Sequence, residues 1–314
     1  MALIKVNDLA YVRLRAPDLD PQEEFLTHFG MMRAERTPSA LYMRGTDPSH
    51  HLHVTEKGDP GFVGFAYYAA SEEDLHRVAK APGASAVEKI DEPGGGQRVR
   101  LREPNGYQIE VVWGIESLPP VPVHYQHMNT GVEPLRRTEL MRLRESPTPV
   151  KRIGHGVMGT PKVRETVQWF RDTLGFICSD DVYAGDKNNI IGSFNRCDRG
   201  DEYVDHHTLF CVMNERAGLN HTSYEVPDVD AVLKDHEYLS RLGKYEHMWG
   251  VGRHLLGSQV YDYWCDPWGR VHERWADTDR LNARTPGNLL SAEESLVSQW
   301  GEDPPERFLR HVSQ

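Results

Sequence analysis

Residues 261–275, YDYWCDPWGRVHERW, have the pattern of a strand, a tight turn at Asp266–Gly269 and a second strand. Residues 99–113, VRLREPNGYQIEVVW, follow the same plan with a turn at Glu103–Gly106. Each stretch ends one of two weakly similar halves of the chain. The sequence therefore contains an internal repeat, and this repeat decides the fold.

The repeat extends to the earlier parts of each half. A strand-like run leads into a helical segment at residues 9–30 and again at residues 152–175, where Gly175 can end the helix. A second strand and helix follow at residues 61–80 and 218–242. The pattern therefore predicts two modules of the order β-α-β-β-β in each half, which corresponds to the α+β fold class.

The repeat also divides the chain. We predict an N-terminal metal-free domain over residues 1–114, a linker over 115–148 and a second domain over 149–280. The linker is rich in proline and mixed charges, and we expect a short helix in it over residues 136–144. Residues 281–314 form a polar tail. The sequence is compatible with two roles for it: a packed or flexible extension, or a lid or subunit contact.

The composition favours a small-molecule function. The 314 residues carry 36 Lys and Arg against 47 Asp and Glu, and the net charge of −11 opposes binding to nucleic acid or to an anionic membrane. The four cysteines form no C-x-x-C pair, which speaks against a zinc ribbon or a disulfide framework. Neither a signal peptide nor a run of about 20 apolar residues is evident, so we expect a cytoplasmic protein.

Two of three corresponding strand positions distinguish the halves. His155 stands where the first half has Tyr11, and His221 stands where the first half has Gly64. The third position, Glu273, is a glutamate in both halves. Only the second half therefore combines two histidines and a carboxylate at corresponding strand positions.

Strand alternation predicts where these side chains point, because neighbours on a strand face opposite sides. Glu273 shares its face with Val271 and is expected to point inward. The adjacent His272 falls on the other side with two arginines, which predicts a solvent-side position. A single strand histidine is more often a hydrogen-bonded structural residue. Two imidazoles and a carboxylate at equivalent positions instead indicate a facial triad, which leaves positions of an octahedral iron(II) open for substrate and dioxygen.

Residues 252–273, GRHLLGSQVYDYWCDPWGRVHE, carry a resemblance to a known family. The chain resembles, from about residue 9 to residue 279, the type I extradiol ring-cleavage dioxygenases of the vicinal oxygen chelate superfamily. The motif departs from the family pattern at Asp262, where an apolar residue is usual. The resemblance implies two tandem vicinal oxygen chelate domains, each built from two β-α-β-β-β modules.

The resemblance also implies the site. The iron ligands would be His155, His221 and Glu273. The acid/base residue would be His207, preferred over the adjacent His206 because the Thr-Leu-Phe that follows places His207 at the family position. An imidazole suits this role because it titrates near neutral pH. Two further residues, His254 and Tyr263, would hydrogen-bond the substrate. The implied cofactor is Fe(II), with Mn(II) less favoured, dioxygen is the co-substrate, and a homo-oligomer is expected.

The substrate implied is a small aromatic diol or triol. Residues 252–282 look closest to enzymes acting on substituted or more highly hydroxylated rings, and 2,4,5-trihydroxytoluene is the favoured substrate, in the catabolism of nitrotoluene-type aromatics. Dihydroxy-cumate and dihydroxybiphenyl are alternatives. Val157, near His155, predicts an apolar wall that suits a methyl-bearing ring. Two other functions are the alternatives, a glyoxalase-like isomerase and a non-catalytic aromatic-ligand-binding protein, but the triad together with His207, His254 and Tyr263 argues against both.

A second histidine cluster lies in the first half. His50, His51 and His53 stand together in the stretch SHHLHV. This half lacks histidines at its positions equivalent to the triad. We therefore interpret the cluster as a relic of the duplicated plan or as part of a solvated strand.

Overall fold

The computed structural model describes residues 2–314 and contains two large β-sheets, one in each half of the chain. The first half forms an eight-stranded sheet with two helices. Its elements are, in chain order, β1 (Val6–Ala16), α1 (Leu19–His28), β2 (Met32–Arg36), β3 (Ala40–Arg44), β4 (His53–Lys57), β5 (Gly61–Ala69), α2 (Glu72–Val78), β6 (Glu88–Lys89), β7 (Gln97–Arg102) and β8 (Gln108–Trp113). The strand order is β2-β3-β4-β1-β5-β8-β7-β6.

The second half forms a ten-stranded sheet. Its elements are β9 (Arg152–Thr160), α3 (Val163–Leu174), β10 (Phe176–Tyr183), β11 (Ile190–Cys197), β12 (Val204–Asp205), β13 (Leu209–Met213), β14 (Gly218–Glu225), α4 (Val229–Leu242), β15 (His247–His254), β16 (Val260–Cys265), β17 (Val271–Ala276), β18 (Arg280–Leu281), β19 (Asn288–Ser291), α5 (Ala292–Ser295), β20 (Ser298–Trp300) and α6 (Glu306–Leu309). The strand order is β19-β10-β11-β13-β9-β14-β17-β16-β15-β20, and β12 pairs with β18.

The strand pairing repeats between the halves. β1 pairs antiparallel with β5 as β9 does with β14, and β5 pairs parallel with β8 as β14 does with β17. His221 lies opposite Val271, and its counterpart Gly64 lies opposite Gln108. Each half therefore contains two β-α-β-β-β modules, and the predicted α+β class is confirmed.

The two halves share one hydrophobic core, which contains buried residues of both sheets. The contact is close at β9, where a Cβ added to Gly156 would lie 2.3 Å from Cζ of Phe65. Only glycine leaves room for this ring beside the strand. The first sheet therefore supports the strand that carries His155.

The predicted solvent-side position of His272 is wrong. Its side chain is fully buried, and its ring lies 5.2 Å from that of Phe25 and 6.0 Å from that of Phe29, centroid to centroid. The two neighbouring arginines of β17, Arg270 and Arg274, are buried as well. Alternation assigned His272 to the correct face, but α1 of the first half covers that face and excludes water from it.

Arg274 forms a buried ion pair beneath this contact. Its guanidinium lies 3.3 Å from a carboxylate oxygen of Asp235, donates to the carbonyl of Phe29 at 2.5 Å and stacks over the Phe29 ring. Removing one partner of a buried pair leaves an uncompensated charge and typically costs about 3–5 kcal/mol. We expect Arg274→Met to lower the free energy of unfolding by about 3 kcal/mol in urea denaturation. The exposed control Arg280→Met is expected to stay near wild type, and equal losses in both variants would contradict the assignment.

The short helix predicted over residues 136–144 is absent, and no helix occurs between residues 115 and 151. Thr138 has a positive φ of 62°, which is incompatible with a continuing right-handed helix. The Arg136 amide donates to the Asn129 side chain instead of to a preceding carbonyl. Side-chain hydrogen bonds therefore replace helical ones in this proline-rich segment.

The first-half histidine cluster is buried, so the interpretation of a solvated strand is wrong. His53 is fully buried and bonds through Nδ1 to the Tyr224 hydroxyl of the second half at 2.9 Å. His50 and His51 are buried too, with their Nδ1 atoms 3.0 Å apart. The hydrogen bond between His53 and Tyr224 therefore joins the two halves of the chain.

The C-terminal tail packs against the second sheet. β19 pairs with β10, β20 pairs with β15, and a bridge joins Ser313 to Leu219. Phe308 of α6 is buried against β15 and β16. The tail is therefore an ordered part of the second half. Across residues 2–314 no helix has the length and apolar character needed to cross a membrane.

Candidate metal centre and active site

Three adjacent strands of the second sheet, β9, β14 and β17, bring the predicted metal ligands together. Ser223 of β14 lies opposite His155 on one side and opposite Glu273 on the other. His221 stands two residues before Ser223 on the same face of β14. The three side chains therefore converge at one point because of strand register alone.

The triad is compact and buried. Nε2 of His155 lies 3.0 Å from Oε2 of Glu273, and Nε2 of His221 lies 3.6 Å from the same oxygen. Glu273 is fully buried, and the two imidazoles are at most 6% exposed. Ser223 donates its hydroxyl to Oε2 of Glu273. Sequence reasoning missed this serine, because its role follows only from the register.

The donor set fits a divalent metal ion. Oε1 of Glu273 is buried and has no hydrogen-bond partner among residues 2–314. Burial opposes ionisation of Glu273, but His155 and the other neighbouring imidazoles outweigh burial and hold its pKa well below the usual range. A charged carboxylate with an unpaired oxygen beside two imidazole nitrogens is the pattern of a site that a cation completes. His155, His221 and Glu273 form a group that could hold such an ion.

Asn220 orients His221. Its side-chain oxygen lies 2.7 Å from Nδ1 of His221, and its amide nitrogen donates to the carbonyls of Phe308 and His311 in the tail. Because the amide nitrogen is committed to two carbonyls, the oxygen must accept from Nδ1–H. His221 therefore keeps the lone pair on Nε2, the atom that faces Glu273.

We expect Asn220→Ala to weaken metal binding by about 10- to 100-fold, the usual effect of removing a partner that orients a ligand. Titration of the metal-free protein with iron(II) under anaerobic conditions would measure this. Asn214→Ala is a matched control, since Asn214 also bonds a tail carbonyl but is remote from the triad. Unchanged affinity in Asn220→Ala would show that His221 needs no such partner.

His207 lies beside the triad, with its ring centroid 4.1 Å from that of His155. Its Nδ1 is 3.1 Å from Nδ1 of His206, and Nε2 of His206 is 2.7 Å from a carboxylate oxygen of Asp180. His206, treated in the sequence as an alternative to His207, thus connects His207 to a carboxylate. Asp180 carried no sequence signal, because β10 brings it to the site from a distant part of the chain.

Burial sets the protonation of His207. Desolvation lowers its pKa well below the usual value, and His155 and His206 lower it further. In the metal-free chain the pKa of His207 is thus shifted away from neutral pH, in the direction that favours the neutral imidazole. With Nδ1 engaged by His206, Nε2 is the atom left to exchange a proton.

His254 and Tyr263 form a hydrogen-bonded pair at the opposite side of the triad. Nε2 of His254 lies 2.8 Å from the Tyr263 hydroxyl and 3.5 Å from Oε1 of Glu273. Tyr263 lies directly opposite Glu273 in the β16–β17 register. Burial raises the pKa of Tyr263 well above its usual value, so the phenol stays protonated. The structure therefore brings together all six residues that the sequence singled out.

A cavity opens from the triad. The imidazoles and Tyr263 form its polar end, and the other walls are apolar, including Val157 at the position that the sequence predicted. The tail supplies part of the wall. The apolar lining consists of Val157, Phe194, Phe210, Val212, Trp249, Leu255, Leu256, Leu296, Val297, Pro304, Phe308 and Leu309.

The first half retains the plan of this site, but its residues 2–114 contain no group of metal ligands. Tyr11 donates its hydroxyl to Oε2 of Glu110, and the Arg13 guanidinium lies 3.4 Å from the same oxygen. In the first half His53 pairs with Val12, and in the second half Leu209 pairs with Gly156, the counterpart of Val12. His53 therefore corresponds to Leu209, and His51, two residues earlier, corresponds to His207. The part of the interpretation that called the cluster a relic of the duplication therefore agrees with the register.

Known proteins resemble this chain over nearly its whole length. It is 29% identical over 313 residues to metapyrocatechase 2 of Cupriavidus necator, covering 98% of this chain and 92% of the relative. It is 23% identical over 306 residues to the manganese-dependent 2,3-dihydroxybiphenyl 1,2-dioxygenase of Geobacillus genomosp. 3, covering 95% and 91%. No protein-family model matches the chain.

Solved structures share the fold. Homoprotocatechuate 2,3-dioxygenase of Brevibacterium fuscum, in complex with 3,4-dihydroxyphenylacetate, superposes with a TM-score of 0.82 at 17% identity, covering 99% of this chain and 94% of that one. The Mn(II)-bound glyoxalase of Novosphingobium aromaticivorans superposes with a TM-score of 0.79 at 22% identity, covering 98% and 95%. The predicted fold, two domains of the vicinal oxygen chelate type, is confirmed.

Proposed function

We propose that this chain cleaves a neutral, apolar-substituted catechol beside its diol, at an iron(II) held by His155, His221 and Glu273. The predicted enzyme class, an extradiol ring-cleavage dioxygenase, is confirmed by relatives of that class that align over nearly the whole chain. One observation carries the assignment of the site: a buried triad with an unpaired carboxylate oxygen stands at the polar end of an apolar cavity.

The metal and the chain would divide the chemistry between them. A bound iron(II) would supply Lewis acidity toward the diol oxygens and redox chemistry with dioxygen. His254 holds the Tyr263 hydroxyl by a hydrogen bond, and that hydroxyl can bond a diol oxygen in the cavity. Nε2 of His207 can take a proton and return it, since His206 and Asp180 can stabilise the imidazolium that forms. The apolar walls exclude water from the reacting ring.

The cavity lining supports a neutral ring. Neither lysine nor arginine occurs among the residues that line it within the described chain. A carboxylate on the ring would therefore be buried without a cationic partner, which is unfavourable. This disfavours dihydroxy-cumate, which carries a carboxylate. The Brevibacterium enzyme was solved with 3,4-dihydroxyphenylacetate, an anionic diol, so the two cavities are expected to select different substrates.

Among neutral rings, 2,4,5-trihydroxytoluene remains our proposed substrate, and dihydroxybiphenyl is similarly consistent. Val157 and the other apolar walls suit a methyl group or a second ring. The third hydroxyl of the triol needs a polar partner, and Ser295 lies in the lining to provide one. The identity of the ring is a matter for direct assay.

Oxygen uptake by the iron(II)-loaded protein tests the proposal. The panel is 4-methylcatechol, 2,3-dihydroxybiphenyl, 2,4,5-trihydroxytoluene and 3,4-dihydroxyphenylacetate. We expect at least one neutral compound to exceed the anionic one by about tenfold or more in kcat/KM, equivalent to about 1.4 kcal/mol. Preference for the anionic compound would contradict the proposed selectivity. Binding of the neutral compounds without any oxygen uptake would instead favour the non-catalytic binding protein.

The metal itself needs a separate measurement. We propose Fe(II), while Mn(II) is the alternative, and one relative is named as manganese-dependent. Reconstitution of the metal-free protein with each ion, followed by oxygen uptake, would distinguish them. Activity as a glyoxalase-like isomerase stays the weaker alternative, since the likeness to the Mn(II)-bound glyoxalase concerns the fold.

The remaining organisation is also proposed. We place domain boundaries at residues 1–114 and 149–280 and regard residues 281–314 as a cover for the active site. Support for the cover comes from Leu296, Val297 and Phe308, which form part of the cavity wall. Assembly as a homo-oligomer and a cytoplasmic location stay predictions.

A further inference from the structure

A second group of metal-ligating side chains lies on the other face of the second sheet. His236 of α4, His247 of β15 and Asp262 of β16 place one ligand atom each within 4.8 Å of the others. Asp262 precedes Tyr263 on the strand, so it points away from the active-site cavity. The group therefore belongs to neither the triad nor the substrate pocket.

Both imidazoles converge on one carboxylate oxygen. Nδ1 of His236 lies 3.0 Å and Nε2 of His247 lies 2.8 Å from Oδ1 of Asp262. Tetrahedral bonds of about 2.0–2.2 Å, as zinc forms with histidine and carboxylate, separate neighbouring ligand atoms by about 3.3–3.6 Å. The observed separations are those of hydrogen bonds, and they need to widen by only about 0.5 Å to admit a zinc ion.

The carboxylate is held in place from its other side. The Trp264 indole donates to Oδ2 of Asp262 at 2.5 Å, which leaves Oδ1 for the imidazoles. Such a hydrogen bond to the second oxygen is typical of carboxylates that bind metals. Asp262 is fully buried, whereas the side chains of His236 and His247 are 30% and 31% exposed. An ion would therefore have access from solvent through the histidine side.

The repeat shows that the fold does not require a carboxylate here. Asp262 lies four residues before the turn Asp266–Gly269, and Val99 lies four residues before the equivalent turn Glu103–Gly106. Val99 is therefore the first-half counterpart of Asp262, and it is fully buried in the core. A buried carboxylate is unfavourable unless it is paired or binds a metal. Its presence, together with a histidine from each of two neighbouring elements, needs a local explanation.

We propose that His236, His247 and Asp262 form a second metal site, which binds a zinc ion with water in the remaining position. Two imidazoles and one carboxylate are a donor set that suits zinc. The ion would join α4 to β15 and β16, the strands that carry His254 and Tyr263. It would be structural, since the cavity and the reacting atoms lie on the opposite face of the sheet.

The test uses the full, iron(II)-loaded chain and zinc(II) as the probe. Iron and zinc per chain are measured by elemental analysis after equilibrium dialysis, for wild type, His236→Gln and His247→Gln. His127→Gln is the matched control, because His127 is an exposed linker histidine. We expect wild type and the control to bind one zinc in addition to iron. The two site variants should bind zinc at least tenfold more weakly while keeping iron and oxygen uptake.

Two results would overturn the proposal. One is the absence of zinc from wild type except where it displaces iron, and the other is equal zinc affinity in wild type and both site variants. Zinc-edge anomalous diffraction of crystals of the zinc-treated protein gives an independent answer, since the absence of zinc density at Asp262 would also overturn the proposal. Retained iron content and oxygen uptake keep this outcome separate from that of the proposed function.

Discussion

His155→Ala is expected to abolish iron binding and, with it, ring cleavage. The imidazole supplies one of only three protein ligand atoms in the triad, and it also faces the carboxylate of Glu273. Removing a residue that merely orients a ligand already costs about 10- to 100-fold in affinity, so loss of a ligand should exceed about 100-fold. Elemental analysis after reconstitution and oxygen uptake with 4-methylcatechol measure both effects.

The repeat provides the control for this variant. Tyr11 occupies the position equivalent to His155 and is also buried, with its hydroxyl on Glu110. Tyr11→Phe removes a buried polar contact from the first half but should leave iron content and oxygen uptake unchanged. If His155→Ala folded and retained full iron content, the assignment of His155 as a ligand would be wrong.

His207→Phe is expected to keep iron and lose turnover. His207 lies against His155 but is not one of the three residues of the triad, and its Nε2 is free to exchange a proton. Loss of a positioned acid/base group typically lowers the rate by about 10²- to 10⁴-fold. Steady-state oxygen uptake and iron content, measured on the same preparation, separate the two roles.

The control again comes from the first half. His51 is the counterpart of His207 and keeps the same contact with its neighbour, here His50. His51→Phe, like His207→Phe, replaces a buried histidine by phenylalanine, but it should leave turnover near wild type. Normal turnover in His207→Phe would remove His207 from its proposed role, whereas loss of iron would make it a structural neighbour of the ligands.

The sequence predicted the fold well because the repeat is visible in strongly patterned segments. Turn residues at Glu103–Gly106 and Asp266–Gly269 fixed the last two strands of each half, and apolar spacing fixed the longer helices α3 and α4. The linker was harder. There, the positive φ of Thr138 and side-chain hydrogen bonds determine the backbone conformation, and neither produces a periodic pattern in the sequence.

The site was predictable to the extent that it differs between the halves. Comparing Tyr11 with His155 and Gly64 with His221 isolated two proposed ligands, and strand alternation turned Glu273 inward. Alternation could not show that α1 covers the opposite face, so His272 was placed in solvent although it is buried.

The supporting residues were not predictable in the same way. Ser223, Asn220 and Asp180 act through register, the C-terminal tail and a distant strand, all of which are properties of the folded chain. One signal was available in the sequence. The SHH of residues 49–51 matches the DHH of residues 205–207, and aligning them would have identified His51 as the counterpart of His207.

The mass balance of a single reaction tests the central claim most directly. Iron(II)-loaded protein is incubated with the best neutral catechol of the panel, oxygen consumption is followed, and the product is analysed by mass spectrometry. We predict one dioxygen consumed per catechol and a ring-opened product that is heavier than the substrate by one whole molecule of dioxygen and carries a carboxylic acid at one end and an aldehyde or ketone at the other, not two carboxylic acids. A quinone, lighter than the substrate by two hydrogens, or a product that gains only one oxygen atom would contradict extradiol cleavage at this site.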